Sequence, residues 1–291
     1  MEITAAQVKD LREKTGIGMM ICKQALIENN GNMDLAIESL RKQGQQTAAK
    51  RAGKAVKQGI VAIVADTSCS IVYEVNSETD FVARNDDFIA FIKTLGAVLL
   101  TQKPADITAA KSCIAPELGG QTVDSRITEL IGKIGENITF RRYRKMDADV
   151  ATQRIYSYVH GNGKIGVLVK CTATAGLDSE ALAALGKDLA MQVAALNPLA
   201  VDRDHIDPEV LAKEKEIYFT QAQSSGKPEK IWDKIVEGKM TKFFQEMTLL
   251  EQLFVKNQEI NVAGRIKEAE KAVGGAIKID EFVRFELGAE E

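Results

Sequence analysis

Between a strand-like run and a helix-like run lies Ser77-Glu78-Thr79-Asp80-Phe81-Val82-Ala83-Arg84-Asn85, a connection where polar residues belong and where Phe81 and Val82 are the exceptions. A Phe left in water forfeits roughly 1.5–3 kcal/mol of burial, so the ring either folds back onto the sheet or waits for a partner's pocket. Asp80 sets a carboxylate directly beside it. An acid adjoining a hydrophobic wedge is suited to enter a site where a cation and packed helices hold something in place.

Covalent chemistry finds little support. Gly161-Asn162-Gly163-Lys164-Ile165-Gly166 spells the G-x-G-x-x-G string of dinucleotide sites. That string works where a strand turns into a helix whose N-terminus meets the pyrophosphate, whereas both flanks here read as strands, so a hairpin turn is expected. The sequence has no G-x-x-x-x-G-K-[ST] loop and no G-x-S-x-G elbow. His160 and His205 lack the spacing of zinc ligands, and His160, at a strand end beside a Gly turn, reads as a capped surface histidine. Cys22, Cys69, Cys113 and Cys171 lie far apart without a CxxC pair and are expected as buried free thiols in a reducing cytoplasm. No catalytic, cofactor-binding or metal-ligating residue is expected.

The elements that must carry the Phe81 segment follow from periodicity. Ile60–Val64 and Ile71–Val75 flank a turn at Asp66–Ser70 and form a hairpin, and Phe88, Phe91, Ile92, Leu95 and Leu99 then recur at helical steps. The same order returns downstream. Ile155–His160 and Ile165–Cys171 make a second hairpin, followed by a helix through Leu182, Leu185, Leu189, Val193 and Leu196 that stops at Asn197-Pro198. Two β-β-α units suggest internal duplication. Ahead of them, Thr4 with Gln7 opens the first of three short helices, Gly16 and Gly18 separate it from the second, and Gly44 is placed at the end of the third. A helical pair spans about 208–243 and turns at Ser224–Pro228, and the chain closes in strands through Leu249–Val255 and Ile277–Leu287. The fold class is therefore α+β. Its expected divisions are 1–54 (three helices and a basic linker), 55–145 (one core subdomain) and 146–288 (the other, with the helical hairpin inserted).

Charge limits the partners. Of 291 residues 41 are acidic and 38 basic, a net charge of −3, which argues against a chain built mainly to wrap nucleic acid. The segment 41–57 carries Arg41, Lys42, Lys50, Arg51, Lys54 and Lys57 and no acid, so a nucleic-acid-binding adaptor is the alternative function. Without aromatic residues for base stacking, a solvated helical linker is the preferred reading. No window approaches the ~18 apolar residues of a membrane span, and the N-terminus MEITAAQVKD lacks a secretory or transit pattern, so a cytoplasmic location is expected.

Four motifs give the chain a family likeness: Thr15-Gly16-Ile17-Gly18-Met19-Met20 with Cys22-Lys23 and Ala25-Leu26, Thr79 to Asn85, Ile134-Gly135-Glu136-Asn137-Ile138, and His160-Gly161 through Gly166-Val167-Leu168-Val169. In this order they resemble the bacterial elongation factor Ts family, along residues 1 to about 288. The resemblance implies a ubiquitin-associated-like N-terminal domain, two related core subdomains and a dimerisation hairpin. It also implies exchange of guanine nucleotide on elongation factor Tu, without covalent chemistry. Thr79, Asp80, Phe81 and Val82 would dislodge Mg²⁺ from that GTPase, and Met19, Met20, Lys23, Ile134, Gly135 and His160 would make further contacts with it. Ile17 stands where the family commonly has Ala, and Ile21 where it commonly has Asp. Some members carry a helical module after the last strand, and with the sequence stopping at Glu291 no contact through such a module is expected.

The apolar residues of the 208–243 hairpin exceed what two helices bury against each other, so docking on a partner or self-association as a homodimer is expected, and self-association is the case tested by mass. Charged substitutions at outward apolar positions should lower the mass measured by analytical ultracentrifugation. A monomer at every concentration before substitution would exclude it.

Overall fold

The computed structural model describes residues 3–290, with Met1, Glu2 and Glu291 outside the described residues. Thr4 caps α1 (Ala5–Thr15) with a capping box, its hydroxyl accepting from the Gln7 amide while the Gln7 side chain accepts from the Thr4 amide. With α2 (Met19–Glu28) and α3 (Met33–Arg51) it buries Val8, Leu11, Cys22, Ala25, Leu26, Ala36 and Leu40 in a small core of its own. The sequence places a helix end at Gly44, but α3 continues through it to Arg51. Gly44 is needed for close packing instead: it is buried and backs onto Gly132 of a later helix, where neither residue has a side chain to hold the backbones apart.

The first hairpin joins β1 (Gln58–Ala65) to β2 (Cys69–Ser77), and its turn is set by Asp66, whose Oδ1 accepts from the Ser68 and Cys69 amides. A single turn, α4 (Asp80–Ala83), leads into α5 (Asp86–Gln102). Next come α6 (Ile107–Ser112), the short pair β3 (Ile114–Ala115) and β4 (Gln121–Thr122), and α7 (Val123–Ile134). β5 (Ile138–Asp147) then pairs with β2, so the antiparallel sheet runs β1-β2-β5. Phe88, Leu95, Leu99, Ile127 and Ile131 pack with Ile71, Tyr73 and Val75 on one face of it.

The second half repeats this plan. β6 (Gln153–His160) and β7 (Ile165–Ala173) form the hairpin, and α8 (Glu180–Leu196) covers it. The helical pair α9 (Pro208–Gln223) and α10 (Trp232–Met247) follows; its base packs Phe243 with Ala200 and Ile206, while Ile217 and Phe219 stay exposed farther along. After it the expected strand through Leu249–Val255 shrinks to β8 (Leu253–Phe254), paired with β9 (Asn257–Asn261). A helix the sequence reading passes over, α11 (Val262–Val273), precedes β10 (Ile277–Glu286). Its Asn261 cap and the steps Val262, Ile266, Ala269, Val273 have helical period, but small residues among charges leave a faint stripe. The sheet order is β6-β7-β10, matching β1-β2-β5 strand for strand.

The two sheets meet face to face. Val61, Val72, Met146 and Leu168 are buried between them with Ile63, Ile155, Val283 and Phe285 at their margin, while alternate residues of the same strands face the helices. That is why β2 is buried at every position: each of its two faces has a core to fill. Gly166 permits the approach, since a Cβ there would lie 2.6 Å from Val61 Cγ1. The Gly163 carbonyl accepts from the Val61 amide at 2.7 Å. All four cysteines are buried and unpaired, and burial pushes Cys69 up to about 11 and Cys171 up to about 12, so these two stay protonated thiols at neutral pH.

The α3–α7 crossing yields an asymmetric test. A Cβ on Gly132 would sit 2.7 Å from the Gly44 Cα, whereas one on Gly44 meets nothing nearer than 3.6 Å. Gly132→Ala is expected to destabilise by about 1–3 kcal/mol through overpacking. Gly44→Ala should be neutral, or stabilising by up to about 1 kcal/mol from helix propensity. Thermal melting compares the two, and equal shifts would reject the crossing.

Candidate functional site

The connection between β2 and α5 is held from below by two carboxylates. Thr79 donates both its amide and its hydroxyl to Glu136, at 3.0 and 2.8 Å. Glu78 in return accepts the Asn137 amide at 2.6 Å and pairs with Arg51 at 3.2 Å. Ser77 Oγ donates to the Thr79 carbonyl, and Asn137 Nδ2 to that of Lys54. A charged acceptor makes a bond roughly twice as strong as a neutral one, so this reciprocal exchange fixes the backbone from Glu78 into α4.

On that base the turn sorts its side chains. Val82 points inward and is 6% exposed, in the core with Phe88 and Ile131. Phe81, next to it, is 79% exposed, more than any other large hydrophobic residue described. Asp80 is half in solvent and pairs with Arg84 at 2.9 Å, one turn along. An exposed i,i+4 pair of this kind stabilises by only about 0.3–0.5 kcal/mol, so the carboxylate is free to take another partner. Asn85 then ends the segment by capping α5, its Oδ1 accepting from the Asp87 and Phe88 amides.

The remaining candidates separate into outward and inward groups. Because Cys22, Ala25 and Leu26 turn into the module's core, Met19, Met20, Ile21 and Lys23 face solvent, and Met20 is 77% exposed. Ile134 packs partly buried against the first core, and Gly135, at φ 83°, ends α7 in the left-handed region and delivers Glu136 to Thr79. His160 is exposed, its Nδ1 2.9 Å from the Tyr158 hydroxyl, on the turn whose Gly163 reaches across to β1. The structure thus joins Thr79–Val82 directly to Ile134–Asn137. His160 belongs to the opposite sheet. Glu136 and Asn137 stand out in the sequence only as members of a motif, and the one local signal of their role is an acid after a helix-ending glycine.

The basic run is partly neutralised. Arg41 pairs with Glu129, Lys42 with Glu38 and Arg51 with Glu78. Among the described residues no group of three or more His, Cys, Asp and Glu is placed to hold a metal ion, and no helix is long and apolar enough to cross a membrane.

Comparison with known proteins gives one answer along the chain. A family model described as Elongation factor TS matches residues 78–289. Elongation factor Ts of Syntrophotalea carbinolica is 45% identical over 99% of this chain and 94% of its own length. Those of Bartonella tribocorum and Clostridioides difficile are also 45% identical, covering 99% and 98% of this chain and 94% and 93% of theirs. The relatives therefore extend over the N-terminal helices, which the family model does not reach.

Adjacent residues with opposite burial make a clean comparison. Val82→Ala should cost about 2 kcal/mol of folding stability from lost burial and the cavity left behind. Phe81→Ala should stay within about 0.5 kcal/mol, as exposed substitutions do. Chemical denaturation of both variants measures the difference; a large loss for Phe81→Ala would place its ring in the fold.

Proposed function

This chain belongs to the elongation factor Ts family, and on that premise we propose that it is the guanine-nucleotide exchange factor of elongation factor Tu, acting in the cytoplasm and without covalent chemistry. The observation that carries the reading is the exposed Phe81 ring on a turn whose backbone is fixed by Glu136 and Glu78. A ring presented on a rigid base loses little conformational entropy when a pocket closes on it. Its burial, roughly 1.5–3 kcal/mol, then becomes available to distort the partner.

A GTPase holds GDP through P-loop amides and through a Mg²⁺ that bridges phosphate oxygens and protein ligands. In our reading Phe81 enters between helices of the nucleotide domain, Asp80 helps to shift them, Mg²⁺ loses its ligands and GDP leaves. Thr79 and Val82 act from beneath, one tied to Glu136 and the other anchored in the core. Met19, Met20 and Lys23 add a second contact from the N-terminal module, and His160 a third from the other sheet. Ile134 and Gly135 serve the site by shaping the turn that holds Thr79. Linkage makes the relation reciprocal: a factor that weakens nucleotide binding is itself expelled when GTP binds. The exposed Ile217 and Phe219 on the helical pair support a homodimer as the assembly.

Release of fluorescent GDP from elongation factor Tu tests the reading. The unsubstituted chain should accelerate it, and Phe81→Ala should slow it by about tenfold for each ~1.4 kcal/mol of distortion energy lost. Asp80→Ala should slow it less. No acceleration by the unsubstituted chain, or normal exchange by a folded Phe81→Ala variant, would refute it.

A further inference from the structure

We infer that Lys133 is a positioning residue that locks the N-terminal module against the core, so that Met20 and Phe81 reach the partner in one fixed register; this rests on the exchange-factor reading. The module's principal contact is the α3–α7 crossing, where Gly44 and Gly132 meet backbone to backbone without side chains to interlock. The Arg41–Glu129 pair beside it, at 3.6 Å and with the Arg 63% exposed, adds little. A cleft of about 970 Å³ opens next to the crossing, with Ile17, Ile37 and Leu40 on the module side and Phe91 and Leu118 on the core side. Apolar packing therefore does not close the joint, and because Arg51, which pairs with Glu78, lies on α3 like the crossing itself, these contacts hold α3 alone and leave the α1–α2 turn free to roll about it.

Lys133, one residue beyond Gly132, supplies the hold on that turn. Its Cδ and Cε run beneath Gly16, where a Cβ would come within 2.7 Å of the Lys133 Cε. Gly16, at φ 68°, ends α1 and begins the turn that delivers Met19 and Met20. The same ammonium group bonds Asp87 Oδ1 at 2.6 Å, in the first turn of α5 and two residues past Asn85. The Lys133 side chain is 27% exposed and Asp87 46%, so the pair is shielded on the lysine side only and acts by where it holds the chain more than by its energy. One side chain thus touches both the turn ahead of Met19 and the helix start that follows Phe81. A contact off the α3 axis stops a roll that contacts along α3 do not.

The test reads geometry and function separately on the full chain. Nitroxide labels at Met20→Cys and Phe81→Cys, with the native cysteines buried, should give a narrow distance distribution by pulsed electron spin resonance, and Lys133→Ala should broaden it. In GDP release, Lys133→Ala should raise the concentration for half-maximal rate by about tenfold and leave the maximal rate unchanged. Met20→Ala should then cost much less in the Lys133→Ala background than alone, the signature of coupled residues. Should Lys133→Ala melt early, Asp87→Ala removes the same ion pair from the other side and carries the same measurements. An unaltered distance distribution, one already broad without substitution, a fall in maximal rate alone, or equal costs of Met20→Ala in both backgrounds would overturn the inference. If the unsubstituted chain fails to speed GDP release, the exchange-factor reading falls, while the distance measurement still decides what Lys133 does.

Discussion

Two three-stranded sheets packed face to face impose the constraint on which the rest of the molecule depends. Every inward residue of β2 and β7 must suit a core, and the one carboxylate caught in the contact must be answered. Glu74 is fully buried there and is met by Arg142 Nε at 2.5 Å, Arg141 at 3.4 Å, Asn76 Nδ2 at 2.8 Å and the Gly288 amide at 2.9 Å. Arg142 in turn lies over the Phe285 ring and donates to the Glu286 carbonyl, so the network ties the first sheet to the last strand of the second. A buried ion pair repays its desolvation only when its remaining valences are met in this way. β2 leaves that contact as a stiff strand and enters the Phe81 turn three residues after Ser77, which is why the turn has a firm base.

Much of this was legible in the sequence where periodicity is strong and local. Both hairpins, α5, α8 and the α9–α10 pair follow from alternation or helical spacing, and Asn197 ends α8 where Asn-Pro says it should. The failures have a common cause. Gly44 reads as a helix stop because a glycine's local preference is visible and its packing partner, Gly132, is not. For want of a broad apolar stripe α11 escapes notice, and the strand expected over Leu249–Val255 is present only at Leu253–Phe254. The third strand of the first sheet is hidden for a related reason: β5 bulges at Arg141, opposite Glu74 and Val75, and carries Arg141 and Arg142 into the interface where apolar residues are the rule.

The site divides along the same line. Phe81 stands out because an apolar residue in a polar connection is a local contradiction. Its neighbour Val82 carries the same signal and turns out to be the anchor, so residue type alone does not tell wedge from root. Nor does sequence reveal that Glu136 grips Thr79 from 57 positions away. The glycine string at 161–166 is instructive in the other direction. Gly161 and Gly163 serve a hairpin turn and Gly166 a sheet contact, so one motif dissolves into separate packing requirements.

The Glu74–Gly288 bond also orders events during synthesis. The two residues are 214 positions apart, so at about 5–20 residues per second the carboxylate emerges about 10–40 s before the amide that completes its shell. Throughout that interval the nascent first sheet can bury Ile71, Tyr73 and Val75 under its own helices, yet its other face must stay hydrated around Glu74. Asn76, Arg141 and Arg142 answer the charge first, and with its last valence unmet the carboxylate makes dry pairing of that face costly until the correct sheet arrives. A growing chain of this design is protected from premature pairing with a stranger by the same group that later welds its two halves together.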